Sequence, residues 1–172
     1  RYWAREALRP ELSRIRKTLP DVTFRDHMSL WFGNREIQLS YHGRAHSNSD
    51  ILLYLPDDKV LFVGDLAVNK TVPAFPDGHI SNWIQVLEQV KNVDADTIVP
   101  GHGPVGGRSE FNEARDLLIL LDDQIREAFD SGISENIAPS RIDVKSFSTF
   151  ANQDRIPQIV EMAYKAYRGE LE

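Results

Sequence analysis

The hydrophobic period of this chain shifts partway along its length, and that shift limits the folds open to it. From Val22 to about residue 63 apolar residues alternate with polar ones or form short runs; from residue 80 they recur mostly every three or four positions. Alternation places successive side chains on opposite faces of a strand, whereas the longer spacing draws one stripe along a helix. Strands first and helices later predict an α+β fold.

Residues 3–18 are rich in Arg, Glu, Leu and Ala and predict a helix, with Pro10 a kink or a restart and Leu19-Pro20-Asp21 its end. Val22, Phe24, Met28, Leu30 and Phe32 then share one face of a strand. Gly33-Asn34 signals a hairpin, and Ile37, Leu39 and Tyr41 alternate along the return strand. A polar loop, His42 to Asp50, leads into the apolar run 51–55, a tight turn at 56–59 and a partner strand at 60–63. Ile80, Trp83, Ile84, Leu87 and Val90 lie at helical spacing, which assigns Trp83 to the core. Thr97-Ile98-Val99 is a short strand closed by Pro100-Gly101-His102-Gly103-Pro104. Ser109 is the expected cap of a long helix with Phe111, Ala114, Leu118, Leu121, Ile125 and Phe129 inside. After turn signals at Gly132 and Pro139, a last amphipathic helix holds Ile156, Ile159, Ala163 and Tyr167.

At 172 residues and 41% apolar, the chain can build one core of its own. Residues 1–172 therefore read as a single domain, with its core at about 20–130 and a helical tail at about 131–172. A net charge of −6 argues against a nucleic-acid partner, which would select a basic stripe. It leaves an anionic substrate open, because a metal ion reverses the local sign of the field. With no cysteine, disulfides, thiolate zinc sites and thiol nucleophiles are ruled out, and the compartment stays open. No apolar run has the length of a membrane span. The chain opens on Arg1-Tyr2-Trp3 with no visible signal peptide and no initiator Met, which fits a processed product or an expressed fragment.

Three polar residues share one placement. His46, Asp65 and His102 each follow a predicted strand, where loops on a rigid sheet carry function. Two imidazoles and a carboxylate suit zinc, and iron or manganese would accept the same atoms. Gly64, Gly101 and Gly103 let the backbone turn close to a bound ion. His79 reads instead as a surface residue near a helix start, His42 as a residue near the site that either supports it or faces solvent, and His27 as part of a polar strand face. Asn69 and Lys70 read as a solvated loop.

Gly43-Arg44-Ala45-His46-Ser47-Asn48-Ser49-Asp50 resembles the Gly-x-x-His-[Ser/Thr]-x-x-Asp segment of metallo-β-lactamase-fold hydrolases. Val63-Gly64-Asp65 resembles that family's Gly-Asp segment and Pro100-Gly101-His102-Gly103 its Pro-Gly-His-Gly segment, in the family's order. The match covers about residues 20–130, and the end from Ile159 to Leu171 resembles helices appended in broad-specificity hydrolases of the family. The resemblance implies the C-terminal half of an αββα sandwich, a mixed sheet covered by helices. It implies His46 on a first metal, His102 on a second, Asp65 bridging them and Asp50 holding the His46 loop. It further implies two zinc ions and a metal-bound hydroxide as nucleophile, with no side chain as the catalytic group. The family's His-x-His-x-Asp-His signature, which supplies most of the ligands, occurs nowhere in the chain; His42 and His46 are four apart. In the family it precedes these motifs, so the missing ligands belong to an N-terminal half.

Two readings follow. One is the C-terminal part of a metal-dependent hydrolase acting on a small molecule, inactive as an isolated chain. The other is a non-catalytic fragment or assembly domain. Ile51, Leu53 and Leu55, or Leu52 and Tyr54, with Leu61 and Val63, form an apolar sheet face. Left bare it exceeds what soluble monomers tolerate, which predicts a homodimer or pairing with the missing N-terminal half.

Overall fold

The computed structural model describes residues 16, 18–75 and 77–171, so the helix expected over residues 3–18 falls almost wholly outside the described residues. Five strands form one mixed sheet in sequence order: β1 His27–Phe32, β2 Arg35–Tyr41, β3 Ile51–Leu55, β4 Val60–Gly64 and β5 Thr97–Pro100. Neighbours from β1 to β4 are antiparallel, and β5 joins β4 in parallel. Three helices accompany them: α1 Ile80–Val90, α2 Arg108–Asp130 and α3 Ile156–Tyr167. The architecture is α+β. No described helix is long and apolar enough to cross a membrane.

β1 begins at His27, not at Val22 as the alternation predicts. Its last pairing bond runs from the Tyr41 N–H to the Asp26 carbonyl, and β2 ends there as Gly43 turns at φ 111°. Val22 and Phe24 have no strand left to pair with. The long helix also starts earlier than expected. Gly107 rather than Ser109 occupies the cap, because the Glu110 carboxylate reaches back to accept from the Gly107 N–H at 2.8 Å.

Register decides which apolar set meets the helices. Tyr54 lies opposite Leu61 and Leu53 opposite Phe62. Leu52, Leu61, Val63 and Ile98 are buried with Trp83, Leu87, Phe111 and Leu121 from the helices. The opposite face carries Ile51, Leu53 and Leu55 with Phe62, and, by register, Leu39 and Met28. So Leu61 and Val63 do not share the open face, as supposed from the sequence; they belong to the core. The open face is apolar all the same: Ile51 is 49% exposed and Phe62 39%.

The tail folds back over the loop that follows β4. Thr71 and Ala151 form a parallel bridge, with Val72 N–H to the Ala151 carbonyl at 2.9 Å and Ala151 N–H to the Lys70 carbonyl at 3.0 Å. Asn152 Nδ2 donates to Thr71 Oγ1 at 2.8 Å, and Arg155 Nη1 to the Val72 carbonyl at 2.8 Å.

Candidate metal centre

Strand direction brings the three candidate ligands together. β2 and β4 are each antiparallel to β3, so they run the same way, and β5 is parallel to β4. Their carboxyl ends share one edge. Each opens into a loop that carries one donor: His46 after β2, Asp65 after β4, His102 after β5. The Asp65 carboxylate stands between the two imidazoles, with Oδ2 3.7 Å from His46 Nε2 and Oδ1 3.5 Å from His102 Nε2.

His46 is held from several sides. Its ring meets Trp83 edge-on at 5.4 Å between centroids, and the Trp83 indole N–H is anchored on the Leu66 carbonyl at 2.8 Å. Trp83 is thus a core residue, as its spacing predicts, that also braces the site. The loop itself is tied to the start of α1 through the His79 N–H and the Ala45 carbonyl, 3.0 Å apart. Asp50 closes it by accepting from the Ser47 N–H at 2.7 Å and the Ser47 hydroxyl at 2.8 Å. The same carboxylate lies 3.7 Å from His46 Nδ1, too long for a hydrogen bond but close enough to orient the charge of the ring.

Electrostatics follow from this packing. The Asp50 carboxylate raises His46 above its ordinary value against the opposing effect of burial, and Asp65 adds to the rise. Burial works to raise the Asp50 carboxyl, but the His46 ring and the two Ser47 donors outweigh it and leave it below the usual carboxylate range.

His102 is held differently. Its side chain is 70% exposed. Gly101 N–H donates to the Gly64 carbonyl at 2.7 Å, fastening that turn to the end of β4.

Zinc-type donors are present in the right chemistry: each oxygen of Asp65 forms a two-donor pair with one imidazole. Among the described residues no group of three or more His, Cys, Asp or Glu side chains could by itself hold a metal ion. The donor set fits two half-sites rather than a closed one.

Other polar residues depart from their sequence reading. Asn69 is buried rather than solvated, as is Thr71 two residues on, because the tail and α2 close over the loop after Asp65, while Lys70 is exposed as expected. The apolar run Leu66-Ala67-Val68 with Val72 and Phe75 was the available signal. His79 is more than a surface residue: its Nδ1 accepts from the Asn82 N–H at 3.3 Å and caps α1. The His42 ring nitrogens are taken up by Ser40 Oγ at 3.0 Å and Gln89 Oε1 at 3.3 Å. Lys70 pairs with Glu113 and lies 5.5 Å from the Phe150 ring.

The chain belongs to the metallo-beta-lactamase superfamily, whose family model matches residues 2–102. This is a family of hydrolases that includes metallo-beta-lactamases and an alkylsulfatase. The chain is 29% identical over 128 residues to a linear primary-alkylsulfatase from Pseudomonas sp. (strain ATCC 19151), covering 67% of this chain and 24% of that protein. It is 32% identical over 95 residues to a metallo-beta-lactamase type 2 from Bacillus cereus, covering 52% and 37%. The chain therefore spans well under half the length of these curated relatives. Among solved structures, a metallo-beta-lactamase from Pontibacter korlensis superposes with a TM-score of 0.57 at 28% identity, over 66% of this chain and 54% of that one. The sec-alkylsulfatase Pisa1 from Pseudomonas sp. superposes with a TM-score of 0.66 over 88% of this chain and 27% of that one, at 16% identity, a likeness of fold alone.

Proposed function

We propose that this chain is part of a metal-dependent hydrolase and contributes His46, Asp65 and His102 to a two-zinc centre. In this reading His46 binds one ion, His102 the other, and Asp65 lies between them. The supporting observation is the Asp65 carboxylate, which turns one oxygen toward each imidazole at 3.7 and 3.5 Å. Stable protein zinc sites take three or four protein ligands, and two per position leaves each ion short. The remaining ligands then come from outside the described residues. When bound, zinc supplies the Lewis acidity that makes water a nucleophile near neutral pH. This chain's own part is positioning. Asp50 and Trp83 fix the His46 ring, Gly101 keeps the two strand ends together, and the Asp65 charge offsets that of the cations. The substrate is a small molecule, the class that the relatives' names indicate.

Elemental analysis and zinc titration of the whole native polypeptide test this reading. We expect two zinc ions per polypeptide, with one lost or weakened in His102→Ala and the other in His46→Ala. Full zinc content in the His46→Ala/His102→Ala double variant would reject it.

The open sheet face favours a second element of the reading. An apolar surface that includes Ile51, Leu53 and Phe62 needs a cover. We take the cover to be the ligand-bearing part of the polypeptide where that is attached, and a second copy of this chain where it is not.

A further inference from the structure

His46 is packed by Trp83 and flanked by Asp50, but among the described residues no aromatic ring packs against His102, whose side chain is 70% exposed. The order that puts it opposite Asp65 must come from the backbone of its turn. Asn69 grips that turn at two points. The Asn69 backbone N–H donates to the His102 carbonyl at 2.9 Å, and Asn69 Nδ2 donates to the Pro104 carbonyl at 2.9 Å.

The two bonds bracket Gly103. Its φ of 92° is a left-handed conformation that side chains rarely adopt, and a Cβ there would stand 2.2 Å from the Asn69 carbonyl oxygen. Glycine thus lets the turn lie flat against Asn69. Asn69 itself is 6% exposed, and its Oδ1 makes no bond to another described residue. Among the described residues the carboxamide's hydrogen bonding runs through Nδ2, and Nδ2 goes to the His102 turn.

We propose that Asn69 is a positioning residue for His102: its two bonds hold the 102–104 turn so that the imidazole faces Asp65 Oδ1. Supporting groups around a metal ligand act in this way, and losing one typically lowers metal affinity about 10–100-fold. The zinc arm of the test rests on the two-zinc reading; the exchange arm does not.

The test uses the whole native polypeptide and three variants. Asn69→Ala removes the Nδ2 donor but keeps the backbone N–H at position 69. That amide then reports whether the His102 carbonyl is still in place. Without metal, we expect its hydrogen exchange to speed up about tenfold or more; with zinc(II), we expect affinity at one of two positions to fall by about the same factor. Gly103→Ala attacks the same contact from the other side, should give the same pair of changes, and serves if Asn69→Ala does not fold. Val68→Ala removes buried apolar atoms one residue away and should leave zinc affinity unchanged. Asn69→Ala and Gly103→Ala with wild-type amide protection and wild-type zinc affinity would overturn the proposal. Faster exchange with no zinc bound even by the wild type would keep Asn69 in its role and reject the metal reading instead.

Discussion

Gly101 and Asp65 leave no room between them: a Cβ on Gly101 would stand 2.0 Å from Asp65 Oδ1 and 2.8 Å from the Gly64 carbonyl carbon. The second contact is with backbone, so the strand ends cannot simply yield. Gly101→Ala must push the carboxylate out of line with His102. We expect zinc affinity of the whole polypeptide to fall about tenfold or more, read by competition with a chromophoric chelator. Wild-type affinity in this variant would mean that Asp65 is not a ligand.

Asp50 holds the His46 loop through the Ser47 N–H and hydroxyl, and its side chain is only 10% exposed. Asp50→Ala strands those donors, which should cost about 1–3 kcal/mol of stability at pH 7. Because the folded Asp50 lies below its unfolded value of 3.8, its contribution is complete above that pH and is lost as pH falls through the folded value. Chemical denaturation of wild type and variant at pH 7 and at acid pH should show the difference narrowing in acid. A constant difference would count against it.

His79 predicts a second pH effect, in a separate window. Burial, the larger cause, holds the ring below 6.5, and the neutral ring accepts from the Asn82 N–H at the start of α1. Folded, it binds fewer protons than unfolded, so its stabilisation is full above pH 6.5 and fades as pH falls through the folded value. His79→Asn keeps a capping oxygen without a titrating ring. Thermal melts between pH 7.5 and 5 should show a smaller loss in the variant than in the wild type; equal losses would remove His79 from the account.

The placement of His46, Asp65 and His102 after strands was legible because strand ends and glycines are local signals. Alternation could not say which of two apolar sets meets the helices. That depends on pairing Tyr54 with Leu61 rather than Leu53, a register that a two-residue period leaves open. Asn69 was misread for a related reason. Its neighbours in sequence include Lys70, yet it is buried against the turn of His102, Gly103 and Pro104, far along the chain. Gly107 displaced Ser109 as a cap because Glu110 supplies the bond from inside the helix.

The open sheet face yields the last prediction. Phe62 is 39% exposed on the side opposite Leu61, so a charge there should leave the core intact. We expect this chain alone to self-associate at micromolar concentration and Phe62→Lys to sediment as a monomer with unchanged far-ultraviolet circular dichroism. A wild-type chain that stays monomeric would end the self-pairing idea.

The bridge between Thr71 and Ala151 joins positions 80 residues apart. Contacts so distant in sequence close late, because the intervening chain must first surrender its freedom. During synthesis His46, Asp65 and His102 leave the ribosome well before Ala151 and Arg155. The loop that begins at Asp65 gains its outer fastening only when those last residues arrive. A chain stalled between His102 and Ala151 therefore carries all three proposed donors while the loop after Asp65 still lacks its outer fastening.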